Sequence, residues 1–184
     1  MNKTINYILS LAFITLFLNA CKEETIDPGK TPDNATELIT TLKVILTDSA
    51  TSAKTEFIFR DKDGEGGNAP ERFDTIKVSA GKVYSCELQF LDESKAETDT
   101  ISNEIIEEAN EHLIYFDPKN VNMNIQITDK DGNNLPLGLF SKWRNLSSGN
   151  GFLEIVLKHQ PGVKDGSRDK GETDASVSFR IEIL

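Results

Sequence analysis

The sequence is poor in the residues that most often carry chemistry. Its 184 residues include only two cysteines, two histidines, two methionines and one tryptophan. It contains no nucleophile elbow, no phosphate-binding loop and no HExxH motif. Beyond the first twenty residues, no apolar run is long enough to span a bilayer. These absences argue against the common classes of hydrolase and nucleotide-dependent enzyme, and we expect a protein that is not an enzyme.

Basic residues are also scarce relative to acidic ones. The chain carries 20 lysines and arginines against 30 aspartates and glutamates, a net charge of −10. No basic cluster with interleaved aromatic residues is present. Such a chain repels nucleic acid, which we therefore exclude as a partner. The charge instead suits solubility at an anionic cell surface, or the attraction of cations.

The first twenty residues have the build of an export signal, because Lys3 precedes an apolar run that ends in small residues. The stretch "LNAC" then resembles the lipobox of bacterial lipoproteins, in which the cysteine, here Cys21, becomes the first mature residue and carries the lipid. The alternative is an ordinary secretory signal with a chance cysteine. We expect residues 1–20 to be a signal peptide and Cys21 to anchor the protein to the membrane by lipid.

The residues after the cysteine indicate which face of the membrane would carry the protein. Lys22, Glu23 and Glu24 resemble the surface-export signal of Bacteroidetes lipoproteins, which implies the outer face of the outer membrane. A charged, flexible tether explains the same three residues. Residues 21–37 are polar, contain two prolines and show no periodicity, so we predict a tether there.

From residue 38 onward, apolar and polar residues alternate in about eight short segments. This pattern predicts one domain, residues 38–184, with the fold of an antiparallel, immunoglobulin-like β-sandwich of about eight strands. The stretch "DTISNEIIEEANEH" has helical spacing instead, and predicts either a short surface helix or an acidic crossover between the sheets. Cys86 lies in an alternating segment and is expected to be a small buried residue, without a disulfide partner if Cys21 is lipidated.

The tetrapeptide "DKDG" occurs twice, at residues 61–64 and 129–132. In the first copy Asp61, Asp63 and Glu65 match the start of an EF-hand calcium loop, but Arg72 stands where the closing glutamate is needed. Both copies follow a predicted strand, and Asp-Gly pairs are typical of hairpin turns. We predict turns, with a weak calcium site at Asp61, Asp63 and Glu65 as the alternative.

His112 and His159 lie at the ends of predicted strands, with acidic residues nearby in the sequence. Histidine is a common ligand of zinc and copper, so the two could form a metal site at one end of the sandwich. The absence of a short ligand spacing such as HxH favours two unrelated, half-buried histidines. The lone Trp143 is either a core aromatic residue or an exposed ring on which a sugar could stack.

Two further resemblances are relevant. Three stretches, "DSA" and "DTI" twice, resemble the O-glycosylation sequon of Bacteroidetes export proteins, which implies glycans at Ser49, Thr75 and Thr100. The order "LITTLKVILT", "FRDKDGEGGNAP", "EEANEHLIYF", "LPLGL", "LEIVLKHQPG" and "GETDASVSFRIEI" resembles a family of small flavobacterial outer-membrane lipoproteins. That family is sometimes labelled with a type 1 periplasmic-binding fold, which the scarcity of helical segments here argues against.

The family resemblance implies a role beside outer-membrane receptors. We therefore expect a lipid-anchored, cell-surface binding or accessory lipoprotein that assists nutrient or metal uptake with a transport receptor. The alternatives are a copper- or zinc-binding lipoprotein that uses His112 and His159, and a structural or adhesive surface protein with weak calcium-binding loops.

Overall fold

Ten strands and one short helix make up the part of the chain that the computed structural model describes, residues 38–64 and 66–184. The first five strands are β1 (Thr41–Asp48), β2 (Lys54–Arg60), β3 (Arg72–Phe73), β4 (Ile76–Val78) and β5 (Val83–Leu91). Helix α1 (Ile101–Glu107) follows. The last five strands are β6 (His112–Lys119), β7 (Met123–Ile127), β8 (Phe140–Asn145), β9 (Gly149–His159) and β10 (Glu172–Ile183). Within the described residues, no helix has the length and apolarity that crossing a membrane requires.

The strands form two sheets, and the predicted all-β sandwich is confirmed. One sheet has six strands in the order β3-β2-β1-β5-β8-β7, and the other has four in the order β4-β10-β9-β6. All neighbouring strands are antiparallel except β4 and β10, which are parallel. The short β4 follows β3 in the chain but pairs in the other sheet, so the 74–75 segment carries the chain across one edge of the sandwich.

Alternation of apolar and polar residues explains how the sheets pack. In β10, Val177, Phe179 and Ile181 are buried, whereas Ser178 and Arg180 between them are exposed. Successive side chains of a strand point to opposite faces, so this pattern gives the sheet one core face and one solvent face. The inner faces of the two sheets together form one hydrophobic core.

Strand β8 is the element that the sequence pattern did not predict. Its buried face consists of Ser141, Trp143 and Asn145, and its exposed face includes Phe140. The strand therefore lacks the apolar alternation by which strands are recognised. The Trp143 ring is fully buried against Phe116 of the other sheet, and its Nε1 donates a hydrogen bond to Ser141 Oγ. Of the two readings of Trp143, the structure therefore supports the core aromatic residue.

The segment predicted as a helix or a crossover contains a helix of seven residues. Ile101 and Ile105 pack into the core, and Ser102 Oγ accepts a hydrogen bond from the backbone N–H of Phe90 on β5. Ile106, which also fits the helical apolar spacing, is 52% exposed. The helix ends shortly before β6, so the acidic segment 107–111 lies directly before the start of that strand.

Both DKDG stretches lie in connections between antiparallel neighbours. The first lies between β2 and β3, and the second between β7 and β8. In the second loop, Asp129 accepts hydrogen bonds from the backbone N–H groups of Gly138 and Phe140, and Asp131 accepts them from Asn133 and Leu135. These aspartates hold the turn itself, which is the role that the turn prediction assigns to them.

Candidate metal site

The two histidines of the described chain face each other at one end of the four-stranded sheet. His112 is the first residue of β6, His159 is the last of β9, and the antiparallel register pairs them directly. They share a strand face with Ile114 and Leu157, which are buried in the core. Their rings stack with centroids 4.8 Å apart and an interplanar angle of 11°. Spacing in the sequence could not show this contact, because 46 residues separate the two strand ends and only the sheet register joins them.

A carboxylate completes a set of three donors. Glu108 lies four residues before His112, just after α1, and its side chain is exposed. One ligand atom each from Glu108, His112 and His159 lies within 4.8 Å of the other two. A second carboxylate is adjacent, since Glu111 Oε2 is 3.6 Å from His159 Nε2. Two imidazoles with one or two carboxylates are ligands that zinc and copper accept in proteins.

His112 is held in a form suited to binding a cation. Burial, and then the neighbouring His159 and Lys164, lower the pKa of its imidazole to about 4. The ring is therefore neutral at neutral pH, and a metal ion has no proton to displace from it. Its Nδ1 lies 3.3 Å from the backbone carbonyl oxygen of Glu108. If Nδ1 carries the proton and donates it there, Nε2 presents its lone pair, which is the usual arrangement of a metal-binding histidine.

His159 has an unused nitrogen. Its Nε2 is buried and makes no hydrogen bond among the described residues, although Glu111 Oε2 lies 3.6 Å away and the side chain as a whole is 17% exposed. A buried polar atom without a partner costs free energy, so an ion or a ligand at this position would relieve that cost.

In their stacked orientation, the two imidazole rings cannot both bind the same ion. A lone pair of imidazole lies in the ring plane, and two nearly parallel planes have no common point at the 2.0–2.1 Å typical of a zinc–nitrogen bond. One ring must therefore turn for both nitrogens to reach the same ion. His159 is the ring able to turn, because His112 is almost completely buried and held at Nδ1 whereas His159 Nε2 makes no hydrogen bond.

The loop of residues 160–171 directly follows His159 and is held in place by hydrogen bonds and one buried ion pair. Gln160 is fully buried and its Nε2 donates to the backbone carbonyls of Ser167 and Lys170, which closes the loop on itself. Lys164 Nζ donates to the Ala109 carbonyl at 2.7 Å and pairs with Asp131 Oδ2 at 2.8 Å. The loop therefore ties the segment before β6 to the second DKDG loop, and its buried ammonium already partners Asp131.

The candidate calcium residues are only partly brought together. Asp63 accepts hydrogen bonds from both the backbone and the side chain of Asn68, which lower its pKa. Burial, and then the adjacent Asp63 carboxylate, raise the pKa of Asp61. Glu65 lies outside the described residues, so the structure does not place the third member of the set.

The remaining candidate residues lie partly inside and partly outside the described part of the chain. Ser49 is exposed in the turn after β1, whereas Thr75 and Thr100 are half-buried. Cys86 is buried in β5, and burial raises the pKa of its thiol, so it is an unreactive core residue. The predicted signal peptide, the predicted lipidation site Cys21 and the motif Lys22, Glu23 and Glu24 lie outside the described residues.

Comparison with known proteins adds no relative to this description. The chain matches no model of a known protein family. No curated protein and no solved structure is similar enough to it to count as a match.

Proposed function

We propose that this protein is a lipid-anchored, cell-surface lipoprotein of the outer membrane that binds a zinc or copper ion through His112 and His159, with Glu108 as the third ligand. The observation that carries the proposal is the direct pairing of the only two histidines of the chain at one end of a sheet. The close approach of a carboxylate and the unpartnered His159 Nε2 support it.

The ligand set favours a divalent ion that the protein can give up. Two imidazoles and a carboxylate suit Zn²⁺ and Cu²⁺, and three protein ligands leave a coordination position for water or for an incoming ligand. Glu108 is exposed and His159 is partly exposed, so the ion would sit at the surface of the domain. Ring rotation before binding lowers the affinity relative to a preformed site. A protein of this kind collects or hands over an ion rather than using it as a permanent structural element.

The proposed site fits an accessory role in uptake. A lipid anchor would hold the domain at the outer membrane, and the family resemblance places such proteins beside transport receptors. We propose that the protein presents its bound metal to a receptor of this kind. Crosslinking on intact cells, with and without added zinc, tests that partnership separately from the metal site.

Calorimetric titration tests the metal site. The mature chain, with Cys21→Ser to prevent lipidation, is titrated with zinc and with copper(II). We expect one ion per chain. His159→Ala should lower the affinity for the ion by more than the roughly 10–100-fold that is lost when a residue merely supporting a metal ligand is removed. Glu107→Gln is the matched control, because Glu107 is an exposed acid of the same segment outside the donor set.

The outcomes separate cleanly. Binding that survives in both His159→Ala and His112→Gln would show that the ion sits elsewhere and would sink the proposal. Loss in Glu108→Gln but not in Glu107→Gln would assign the carboxylate ligand. Calcium binding that both histidine variants retain would instead support the alternative set at the first DKDG loop.

A further inference from the structure

The solvent face of the four-stranded sheet carries a second feature, far along β9 from the histidines. Phe152 of β9 is 43% exposed and lies directly opposite Arg180 of β10. The neighbouring residues of both strands on this face are polar or charged. An exposed phenylalanine in the middle of a polar sheet face has no role in the core, since Leu153 on the other face fills that role.

Phe152 and Arg180 together separate two shallow depressions. One, of about 230 Å³, is also lined by Asn120, Asn150 and Glu182. The other, of about 280 Å³, is also lined by Phe73, at the sandwich edge, and Thr75. We call the two depressions together the groove; an aromatic ring and a guanidinium group line both of them.

The backbone around the groove is built to hold the Asn120 side chain there. Asn120 has a left-handed φ of +60° in the turn that follows β6. That turn presses against Gly151, where an added Cβ would lie 2.1 Å from the Lys119 carbonyl oxygen. A glycine beside Phe152 therefore allows the turn to approach β9 and bring the Asn120 amide to the groove.

The charges of the groove indicate what it would bind. Its two acids already have partners: Glu182 pairs with Lys77 at 3.3 Å, and Asp74 pairs with Arg72 at 2.7 Å. Within residues 38–64 and 66–184, Arg180 has no ion pair, and the amides of Asn120 and Asn150 make no hydrogen bonds. The unpaired charge of the groove is therefore positive, although the whole chain carries −10.

We infer that this groove binds a uronic-acid residue of an acidic polysaccharide. The carboxylate would pair with the planar Arg180 guanidinium, the C–H face of the sugar ring would stack on Phe152, and the hydroxyls would bond to the two asparagine amides. A protein partner fits less well, because a stable protein interface buries about 800 Å² on each side around an apolar centre. This face instead offers separate phenylalanines among charged pairs.

Backbone amide NMR shifts of the Cys21→Ser mature chain test the inference. The probes are galacturonate and glucuronate, compared at matched concentration with galactose, glucose and acetate. We expect shifts at Gly151, Phe152 and Arg180 with the uronates, weaker shifts with the neutral sugars, and none there with acetate. Added zinc should leave these shifts unchanged, since the histidines lie at the other end of β9.

Three results would overturn the inference. If acetate gave equal shifts, the site would recognise only a carboxylate. If galactose bound equally well, the charge would have no role. If neither uronate gave shifts, uronic acids would be excluded as ligands. Arg180→Gln should weaken binding by about tenfold or more, as expected for a lost charge-assisted hydrogen bond. Phe152→Ala should also weaken it, whereas Phe140→Ala, which removes an equally exposed phenylalanine from the other sheet, should not.

Discussion

The ion pair between Lys164 and Asp131 is the most buried pair of charges in the described chain. The two side chains are 2% and 0% exposed, and the nitrogen lies 2.8 Å from the oxygen. Removing charges from water costs several kcal/mol per ion, and the pair is tolerated because other groups also satisfy it. Lys164 donates to the Ala109 carbonyl, and Asp131 accepts two backbone N–H groups.

Neutralising one partner of this pair should therefore destabilise the fold. We expect Asp131→Asn to lower the free energy of unfolding by at least about 2 kcal/mol, because it leaves the Lys164 ammonium buried without a counter-ion. Urea denaturation measures the change. The matched control is Asp165→Asn, whose partner Lys170 is equally close at 2.7 Å but about half exposed, and this variant should be nearly unchanged. Equal effects of the two substitutions would contradict the argument.

The same pair predicts how stability depends on pH. Burial alone would raise the pKa of Asp131, but the Lys164 ammonium and the backbone N–H groups of Leu135 and Asn133 outweigh it and lower the pKa below 3.8. A lowered carboxyl pKa contributes stability that is present above 3.8 and is lost as the pH falls through that value toward the folded-state pKa. We expect urea midpoints to fall with acidification below about pH 5. The fall should be shallower in Asp131→Asn, and identical slopes would rule out a contribution from Asp131.

At the scale of elements, the turn that joins β6 to β7 lies close against β9. Gly151 has an ordinary strand φ, so its requirement for glycine is steric rather than conformational. An alanine Cβ would meet the Lys119 carbonyl oxygen at 2.1 Å and Val121 Cγ1 at 2.9 Å. Backbone atoms cannot move aside as a flexible side chain can, so the whole turn would have to shift.

Gly151→Ala should consequently destabilise the protein by about 1–3 kcal/mol, the usual cost of overpacking. Gly149→Ala tests the same chemistry in the same strand, where nothing lies within 4 Å of the added Cβ, and it should be close to neutral. Thermal unfolding of the two variants compares them directly. A neutral Gly151→Ala would mean that the turn is not held against β9.

At the scale of the whole molecule, the core is a single layer between the two sheets. Trp143 of the six-stranded sheet meets Phe116 of the four-stranded sheet edge to face, with ring centroids 6.0 Å apart. Apolar residues from both sheets and from α1 belong to the same core cluster. Neither sheet can keep its apolar face buried if the other separates from it.

Unfolding should therefore be one cooperative transition. Trp143 is the only tryptophan, so its fluorescence reports the contact between the sheets, while far-UV circular dichroism reports the strands. We expect the two signals to coincide along a urea titration, as in two-state domains of this size. A fluorescence change that precedes the loss of strand signal would show that the sheets separate before they unfold.

Periodicity in the sequence was sufficient for the sandwich class, for the helical segment and for the burial of Cys86, because each depends on local alternation. Periodicity did not predict strand β8, because Ser141 and Asn145 break the apolar pattern on its buried face. The segment "RFDTIKV" alternates like a single strand, but it forms both β3 and β4 because its two halves pair in different sheets. Pairing partners are distant along the chain and leave no local signal.

For the candidate metal site, too, one part could be predicted from the sequence and another part depended on the tertiary structure. The sequence alone determined which imidazoles are available as metal ligands, since His112 and His159 are the only histidines of the chain and acids lie near them in the sequence. Only the tertiary structure decided that the rings meet, through the register of β6 against β9, and that their planes stack rather than converge. It also decided which aromatic rings face solvent, burying Trp143 and exposing Phe152. Contact between residues far apart in the chain depends on strand order and register, which the long-range packing of the whole core selects.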